Sequence, residues 1–237
     1  MVRGGAVIEF NNVSKTYKKE FTAVKNINLK IEKGEFIFIV GKSGAGKSTL
    51  IKLLLREISP SEGIINYNGL DINKIRKRNV AEYRRKIGFV FQDYRLLPKM
   101  TVYENVAFAM EMICCSAKSI RREVPLVLSM VGLSDKAKYY PDELSGGEQQ
   151  RVAIARAVIN KPETIIADEP TGNLDPETSK EIMKILTEIN KRGTTVIMAT
   201  HDREIVTRYQ KRVIELKHGA VIRDIRAGGY TDEPKEN

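Results

Sequence analysis

The glycine-rich run at residues 41–48 contains the residue types that bind phosphate groups. Its spacing, Gly-x-x-x-x-Gly-Lys-Ser, is that of a P-loop, whose glycines let backbone N–H groups close around phosphate oxygens at the start of a helix. Lys47 is expected to reach the outer phosphates, and Ser48 is expected to hold Mg²⁺. The predicted nucleotide-binding residues of this run are Gly41, Lys42, Ser43, Gly44, Ala45, Gly46, Lys47, Ser48 and Thr49.

Two adjacent carboxylates, Asp168 and Glu169, follow the apolar stretch Thr164–Ala167. A parallel sheet presents the residues at the carboxyl ends of its strands to a ligand. Neighbouring side chains on a strand point to opposite faces, so the two carboxylates can have different roles. Asp168 is expected to support Mg²⁺, while Glu169 is expected to polarise an attacking water molecule. An apolar strand that ends in Asp-Glu is a weak signal alone, and the P-loop in the same chain strengthens it.

A third run, Leu-Ser-Gly-Gly-Glu-Gln-Gln-Arg at residues 144–151, precedes the amphipathic stretch Val152–Ile159. A serine and two glycines at the start of a helix form a second N-terminus suited to phosphate. A chain with two such sites either binds two nucleotides or shares each nucleotide between two copies. These residues alone leave both possibilities open.

The P-loop, the 144–151 run and the Asp-Glu strand, in this order, resemble the ABC ATPase superfamily over nearly the whole chain. The resemblance implies an ATPase that uses ATP and Mg²⁺ and works as a head-to-tail homodimer. In such a dimer Ser145, Gly146 and Gly147 of one copy contact the ATP held by Lys47 of the other, and Gln149 counts among the nucleotide-binding residues.

The same resemblance assigns roles to four isolated residues. Gln92 corresponds to the family's Mg²⁺-sensing glutamine, His201 to the histidine that contacts the γ-phosphate, and Asp175 to the loop that crosses the dimer interface. Tyr17 corresponds to the aromatic residue that stacks on adenine. Without the resemblance, the glutamine would more often be a surface amide and the histidine a structural one. The aspartate would more often be a helix cap, and the tyrosine a core aromatic residue.

Within the superfamily the chain is similar to the FtsE family of cell-division ATP-binding proteins, through residues 91–98 and 101–106. That resemblance implies an integral-membrane partner like FtsX, contacted near Gln92–Asn105, and regulation of cell-wall hydrolysis. Related exporter and lipoprotein-release ATPases share much of this region and remain an alternative. Lys42 departs from the residues usual at its P-loop position, and neighbouring cysteines Cys114 and Cys115 have no role in the resemblance.

The elements that must position these residues follow from hydrophobic patterning. Residues 36–40 and 195–199 are short apolar runs typical of buried strands, and residues 103–131 have helical periodicity that includes both cysteines. Asp175, Pro176 and Gly193 predict the N-cap, first residue and end of one helix.

The predicted fold is therefore α/β: an ABC-type P-loop nucleotide-binding domain with a mixed core sheet, an N-terminal antiparallel β subdomain and an inserted helical lobe. The expected single domain spans residues 1–237, with the core and β subdomain at 1–92 and 160–228, the helical lobe at 93–159 and a flexible tail at 229–237.

Composition limits the environment and the partners. With no long apolar run and no signal-like start, we expect a cytoplasmic protein that lies on the inner face of the cell membrane through its partner. The net charge of +10 suits either nucleic acid or an anionic membrane surface. No nucleic acid is expected, because nucleic-acid-associated ABC proteins carry two cassettes or a long coiled coil, and this chain has neither feature.

Overall fold

The computed structural model describes residues 5–17 and 21–226, which form two compact units. Of the described residues, the first unit comprises 5–17, 21–32, 36–74 and 197–226, and the second comprises 33–35 and 75–196. The predicted tail at 229–237 lies outside the described residues, as do residues 18–20. The predicted boundaries of core and helical lobe stay a prediction.

Ten strands and seven α-helices are described. The strands are β1 (Ala6–Tyr17), β2 (Phe21–Glu32), β3 (Phe36–Val40), β4 (Glu62–Tyr67), β5 (Leu70–Asp71), β6 (Ile87–Val90), β7 (Thr164–Asp168), β8 (Thr195–Ala199), β9 (Arg212–Lys217) and β10 (Ala220–Ile225). The helices are α1 (Lys47–Leu54), α2 (Val80–Arg85), α3 (Val102–Glu111), α4 (Ala117–Met130), α5 (Gly146–Val158), α6 (Pro176–Lys191) and α7 (Arg203–Tyr209). Among the described residues, every helix is too short or too polar to span a bilayer.

The first unit contains an antiparallel sheet near the N-terminus and part of a mixed sheet. The antiparallel sheet has the order β2-β1-β4-β5, and in the other β10, β9, β3 and β8 are successive neighbours. β9 pairs with β3 in parallel and with β10 antiparallel. Arg212 is buried at the start of β9, where its guanidinium binds both carboxylate oxygens of Asp224 at 2.7 Å and donates to Lys30 O. This bidentate pair ties β9 to β10 and to β2.

The second unit places helices beside a parallel strand pair. β6 and β7 are parallel, with Ile87 opposite Thr164. Capping boxes begin α3 and α5, at Thr101 and Ser145, and Asp175 caps α6 by accepting hydrogen bonds from two backbone N–H groups. Each cap satisfies N–H groups that lack a partner within the helix, so these sequences fix where the helices begin.

The predicted α/β class, with its antiparallel sheet, mixed sheet and helical segments, is confirmed. The strands at 36–40 and 195–199 and the helix between Asp175 and Gly193 have the predicted positions. The helical periodicity at 103–131 corresponds to two helices, but the prediction that both cysteines lie within a helix was wrong, because α3 ends at Glu111 and α4 begins at Ala117. Cys114 and Cys115 lie in the turn between them, where their N–H groups donate to Glu111 O and Met110 O and Cys114 has a φ of 60°.

Candidate functional site

The P-loop connects β3 to α1, and close backbone contacts require its glycines. β3 is buried along its whole length, which fixes the start of the loop. A Cβ on Gly41 would lie 2.9 Å from Ala45 Cβ, and a Cβ on Gly46 would lie 2.7 Å from Ala23 O. Gly46 also has a φ of +110°, which residues with a side chain rarely adopt. The loop conformation therefore depends on glycine at both positions.

Lys47 begins α1 and is only 8% exposed. Its ammonium donates to Gly41 O at 2.6 Å and to Lys42 O at 3.4 Å, so the charge is held against the loop. No side chain caps α1, and its first turn has no acidic residue. An uncapped helix N-terminus beside a held ammonium offers N–H donors and positive charge to an anion, which suits a phosphate group.

His201 follows β8 and lines the same cavity as the P-loop. The cavity has a volume of about 830 Å³ and lies within the first unit. It is lined by residues 40–45, by residues 201–203 before and at the start of α7, and by Glu215–His218 at the end of β9. His201 is exposed there, and Asp202 caps α7 by accepting from Ile205 N. The structure thus places His201 in the same cavity as the P-loop, and its contact with the γ-phosphate stays a prediction.

Asp168 and Glu169, the two carboxylates after the apolar stretch, have different backbone conformations. Asp168 is the last residue of β7, while Glu169 follows it with a φ of 48°. A positive φ in a residue with a side chain costs about 1 kcal/mol or more, and such strain is concentrated at functional sites. The kink separates the two side chains and gives Glu169 a direction that a regular strand would not.

Gln92 and Glu169 approach each other around Gly172. Gln92 Nε2 and Glu169 Oε2 each lie 3.5 Å from the position that a Cβ on Gly172 would take. Gly172 N also donates to Glu169 O at 3.1 Å, which closes the turn. The predicted amide and the predicted base therefore belong to one cluster within the second unit.

The 144–151 run forms the capped start of α5. Ser145 Oγ accepts from Glu148 N at 3.3 Å, and Ser145 N donates to Glu148 Oε2 at 2.8 Å. The hydrogen bond from the Ser145 backbone is the largest cause that lowers the pKa of Glu148 below its ordinary value. Gln149 Nε2 donates to Leu144 O at 3.1 Å. Ser145 itself is exposed, so its hydroxyl stays accessible to a second molecule.

Gly146 and Gly147 are packed against other parts of the second unit. A Cβ on Gly146 would lie 3.0 Å from the hydroxyl of Tyr94, and a Cβ on Gly147 would overlap Thr178 Cγ2. Thr178 also donates its hydroxyl to the carboxylate of Asp175. Hydrogen bonds from the Thr178 side chain and backbone lower the pKa of Asp175. The start of α5 is therefore joined to the start of α6 through Thr178.

Sequence reasoning missed Arg156, which holds the segment after Gln92. Its guanidinium donates to Arg95 O at 2.5 Å and to Tyr94 O at 2.7 Å, and burial lowers its pKa. Tyr94 and Arg95 both have positive φ, at 58° and 49°. Two strained residues in succession need such a restraint. The signal that could have found Arg156 is that it is the only charged residue in the stretch 152–159. A charged side chain on a buried helix face requires partners.

The remaining predictions concern Tyr17, expected to bind adenine, and the three expected Mg²⁺ ligands. Tyr17 ends β1 opposite Phe21, outside the lining of the P-loop cavity, and its role stays a prediction. Ser48 is exposed in α1, while Gln92 and Asp168 belong to the second unit. Hydroxyl, amide and carboxylate oxygens are ligand types that suit Mg²⁺, so the chemistry of each of these side chains fits the ion, and their joint role as ligands stays a prediction.

The chain is similar to known proteins over most of its length. The sequence profile described as "ABC transporter" matches residues 24–172. The chain is 53% identical to "Cell division ATP-binding protein FtsE" of Bacillus subtilis over 94% of this chain and 98% of that protein. It is 54% identical to the protein of the same name from Mycobacterium tuberculosis, over the same shares. A solved dimer of the ATP-binding cassette MJ0796, in a post-hydrolysis state with ADP and Pi, has a TM-score of 0.83 and 40% identity and covers 94% of this chain and 100% of its own.

Proposed function

We propose, from the premise that the chain belongs to the ABC transporter family and within it to the cell division ATP-binding proteins FtsE, that two copies close on two ATP molecules and drive an FtsX-like membrane partner. The chain is an ATPase subunit of the ABC type. The observation that carries the proposal is the start of α1, where a buried ammonium lies against a loop that requires glycine and the helix has no side-chain cap.

Nucleotide binding begins at the P-loop. Lys47 neutralises the outer phosphates, and the N–H groups at the start of α1 donate to their oxygens. Tyr17 stacks on the adenine, and stacking without directed hydrogen bonds makes base selectivity loose. Ser48, Asp168 and Gln92 would hold Mg²⁺, which would supply positive charge to the bound phosphates.

Hydrolysis needs a positioned base. Glu169 accepts a proton from the attacking water, and the strained backbone at this residue directs its carboxylate toward the Gln92 cluster. His201 donates to the γ-phosphate from the wall of the P-loop cavity. Both residues orient the water and the terminal phosphate, which is the main task of a protein in phosphoryl transfer.

The second copy completes each site. Ser145, Gly146, Gly147 and Gln149 of one copy contact the ATP bound by the other, and Asp175 crosses the interface. The dimeric MJ0796 cassette with ADP and Pi supports this arrangement. Asn105 is fully buried and holds the segment Leu97–Thr101 through carbonyls of Leu97, Met100 and Thr101. A rigid segment between Gln92 and Asn105 suits contact with a membrane partner, which keeps the protein on the inner face of the membrane.

The test is Glu169→Gln. We expect phosphate release to fall by about 10²–10⁴-fold, the range for loss of a general base, while ATP binding is retained. With ATP and Mg²⁺ the variant should accumulate as a dimer, measured by light scattering, and should co-purify with its membrane partner from detergent-solubilised membranes. Glu188→Gln, an exposed site on α6, is the matched control.

Three outcomes would count against parts of the proposal. Normal turnover of Glu169→Gln would remove Glu169 as the base. A variant that binds ATP and stays monomeric without the partner would contradict closure by the isolated subunit. Recovery of an export or lipoprotein-release permease, instead of an FtsX-like protein, would keep the catalytic roles and replace the cell-division role.

A further inference from the structure

The segment at residues 75–86 concentrates positive charge on one exposed part of the second unit. It contains six basic residues and one acidic residue, Glu82. A 3₁₀ turn at Lys77–Asn79 leads into α2, whose only buried residue is Tyr83. Five basic side chains are exposed here, and we use the name basic patch for four of them: Arg76, Lys77, Arg78 and Arg85.

The basic patch has no counter-ions of its own among the residues that the structure describes, although basic residues elsewhere do. Arg122 and Lys161 share Glu123, at 2.8 and 3.1 Å. Lys136 pairs with Glu148 at 3.8 Å. The patch residues take part in no such ion pair with any described residue. Like charges placed together without counter-ions repel each other, so an external anionic surface would stabilise them.

An apolar groove adjoins the basic patch. The groove has a volume of about 770 Å³, and Lys77 and Arg85 lie on its lining together with Val80 and Met112. Met112 is 59% exposed, so it presents apolar surface beside the basic side chains. Basic side chains beside an exposed apolar side chain are typical of surfaces that lie at the boundary between lipid headgroups and acyl chains.

We propose that the basic patch binds anionic phospholipid headgroups, with Met112 at the acyl boundary. Specific recognition of a carboxylate would need guanidinium groups that are held in place, as Arg212 is held by Asp224 and Lys30 O. The patch side chains have no such restraint, and long unrestrained cations suit a diffuse charged surface. That this surface faces the membrane rests on the proposed function, whereas the binding itself is measured without any partner.

The test compares vesicles of phosphatidylglycerol and phosphatidylcholine with vesicles of phosphatidylcholine alone. We expect the full chain to sediment with the anionic vesicles only, and to be released by high salt, because the attraction is screened. A basic side chain near an anionic surface contributes about fivefold in affinity. Arg76→Gln/Lys77→Gln/Arg78→Gln/Arg85→Gln should therefore bind at least about tenfold more weakly.

A control variant removes the same charge elsewhere. Lys25→Gln/Lys52→Gln/Lys118→Gln/Arg208→Gln changes four exposed sites outside the patch, and we expect its binding to stay within about twofold of the original. Equal losses in the two variants would overturn the proposal, because net charge would then explain the binding. Absence of vesicle binding, or tighter binding to an acidic peptide or to duplex DNA at equal salt, would overturn it as well.

Failure here is distinguishable from failure of the proposed function. Vesicle binding requires no hydrolysis, so Glu169→Gln should retain it in full. A chain that binds vesicles through the patch but releases no phosphate would leave this inference intact and contradict the catalytic proposal.

Discussion

The helices α1 and α5 both begin at glycine-bearing runs, but their N-termini are satisfied in different ways. α1 begins after Gly46 with no side-chain cap. α5 begins with a complete capping box, in which Ser145 and Glu148 exchange hydrogen bonds. An uncapped N-terminus leaves several N–H donors and a partial positive charge available, whereas a capping box satisfies two donors and adds a carboxylate.

This difference indicates an order of events. The P-loop is prepared to bind phosphate within one chain, because its donors and Lys47 have no competing carboxylate in the first turn of α1. At α5 a phosphate has to share Ser145 with Glu148, and its charge adjoins that of the glutamate. We therefore expect ATP to bind first to the P-loop of a single chain and to engage α5 only when a second copy brings it there.

The largest effect is expected at Lys47. Lys47→Ala removes one preorganised charge, and loss of a single such group costs about 10²–10³-fold in rate. The affinity of the single chain for a fluorescent ATP analogue should fall together with the rate of hydrolysis. The control is Lys52→Ala, an exposed lysine of the same helix, which should behave like the original chain. Unchanged nucleotide affinity in Lys47→Ala would remove the P-loop as the first binding site.

Ser145→Ala tests the second helix of the comparison, at the start of α5. The single chain should bind ATP as before, while phosphate release should fall by about 10- to 150-fold, because one hydrogen bond to a charged group contributes about 1.5–3 kcal/mol. Loss of the cap should also lower the free energy of unfolding by about 1 kcal/mol. Urea denaturation separates this loss of stability from the kinetic effect. Weaker ATP binding by the single chain would contradict the proposed order.

A smaller effect concerns the packing of α5 against α6. Gly147→Ala would force its methyl group into Thr178 Cγ2, and overpacking of this kind costs about 1–3 kcal/mol. Thr178→Ser removes the opposing methyl group and keeps the hydroxyl that donates to Asp175. The double variant Gly147→Ala/Thr178→Ser should recover most of the lost stability in a thermal unfolding series. If it does not, the glycine is required for another reason.

The sequence predicted local structure better than the long-range contacts that hold it in place. Spacing sufficed for the P-loop, for the strands β3 and β8 and for the Asp175 cap, because each depends on local patterning. It could not place Arg156 on the carbonyls of Tyr94 and Arg95, which are about sixty residues away along the chain. The left-handed turn at Cys114 was also missed, since helical periodicity continues on both sides of it.

The smallest effect is expected when the pH is lowered. The resulting loss of stability should come from the capped helices α3, α5 and α6 and not from α1. Hydrogen bonds at the caps lower the pKa values of Glu104, Glu148 and Asp175 in the folded chain. Their stabilising contribution is therefore fully present above the ordinary values, 4.5 for the glutamates and 3.8 for the aspartate. It is lost as the pH falls through the lower folded values, because protonation then favours the unfolded chain.

The variant Glu104→Gln/Glu148→Gln/Asp175→Asn should consequently be less stable at pH 7 and lose less stability between pH 5 and pH 3. Urea denaturation at several pH values measures both quantities. The control, Glu57→Gln/Glu62→Gln/Glu111→Gln, removes three exposed carboxylates away from these caps and should keep the original pH dependence. Since α1 has no capping carboxylate, nucleotide binding by the single chain should change little in either variant. If the pH dependence of the free energy of unfolding weakened equally in both variants, overall charge, and not the caps, would set the acid sensitivity.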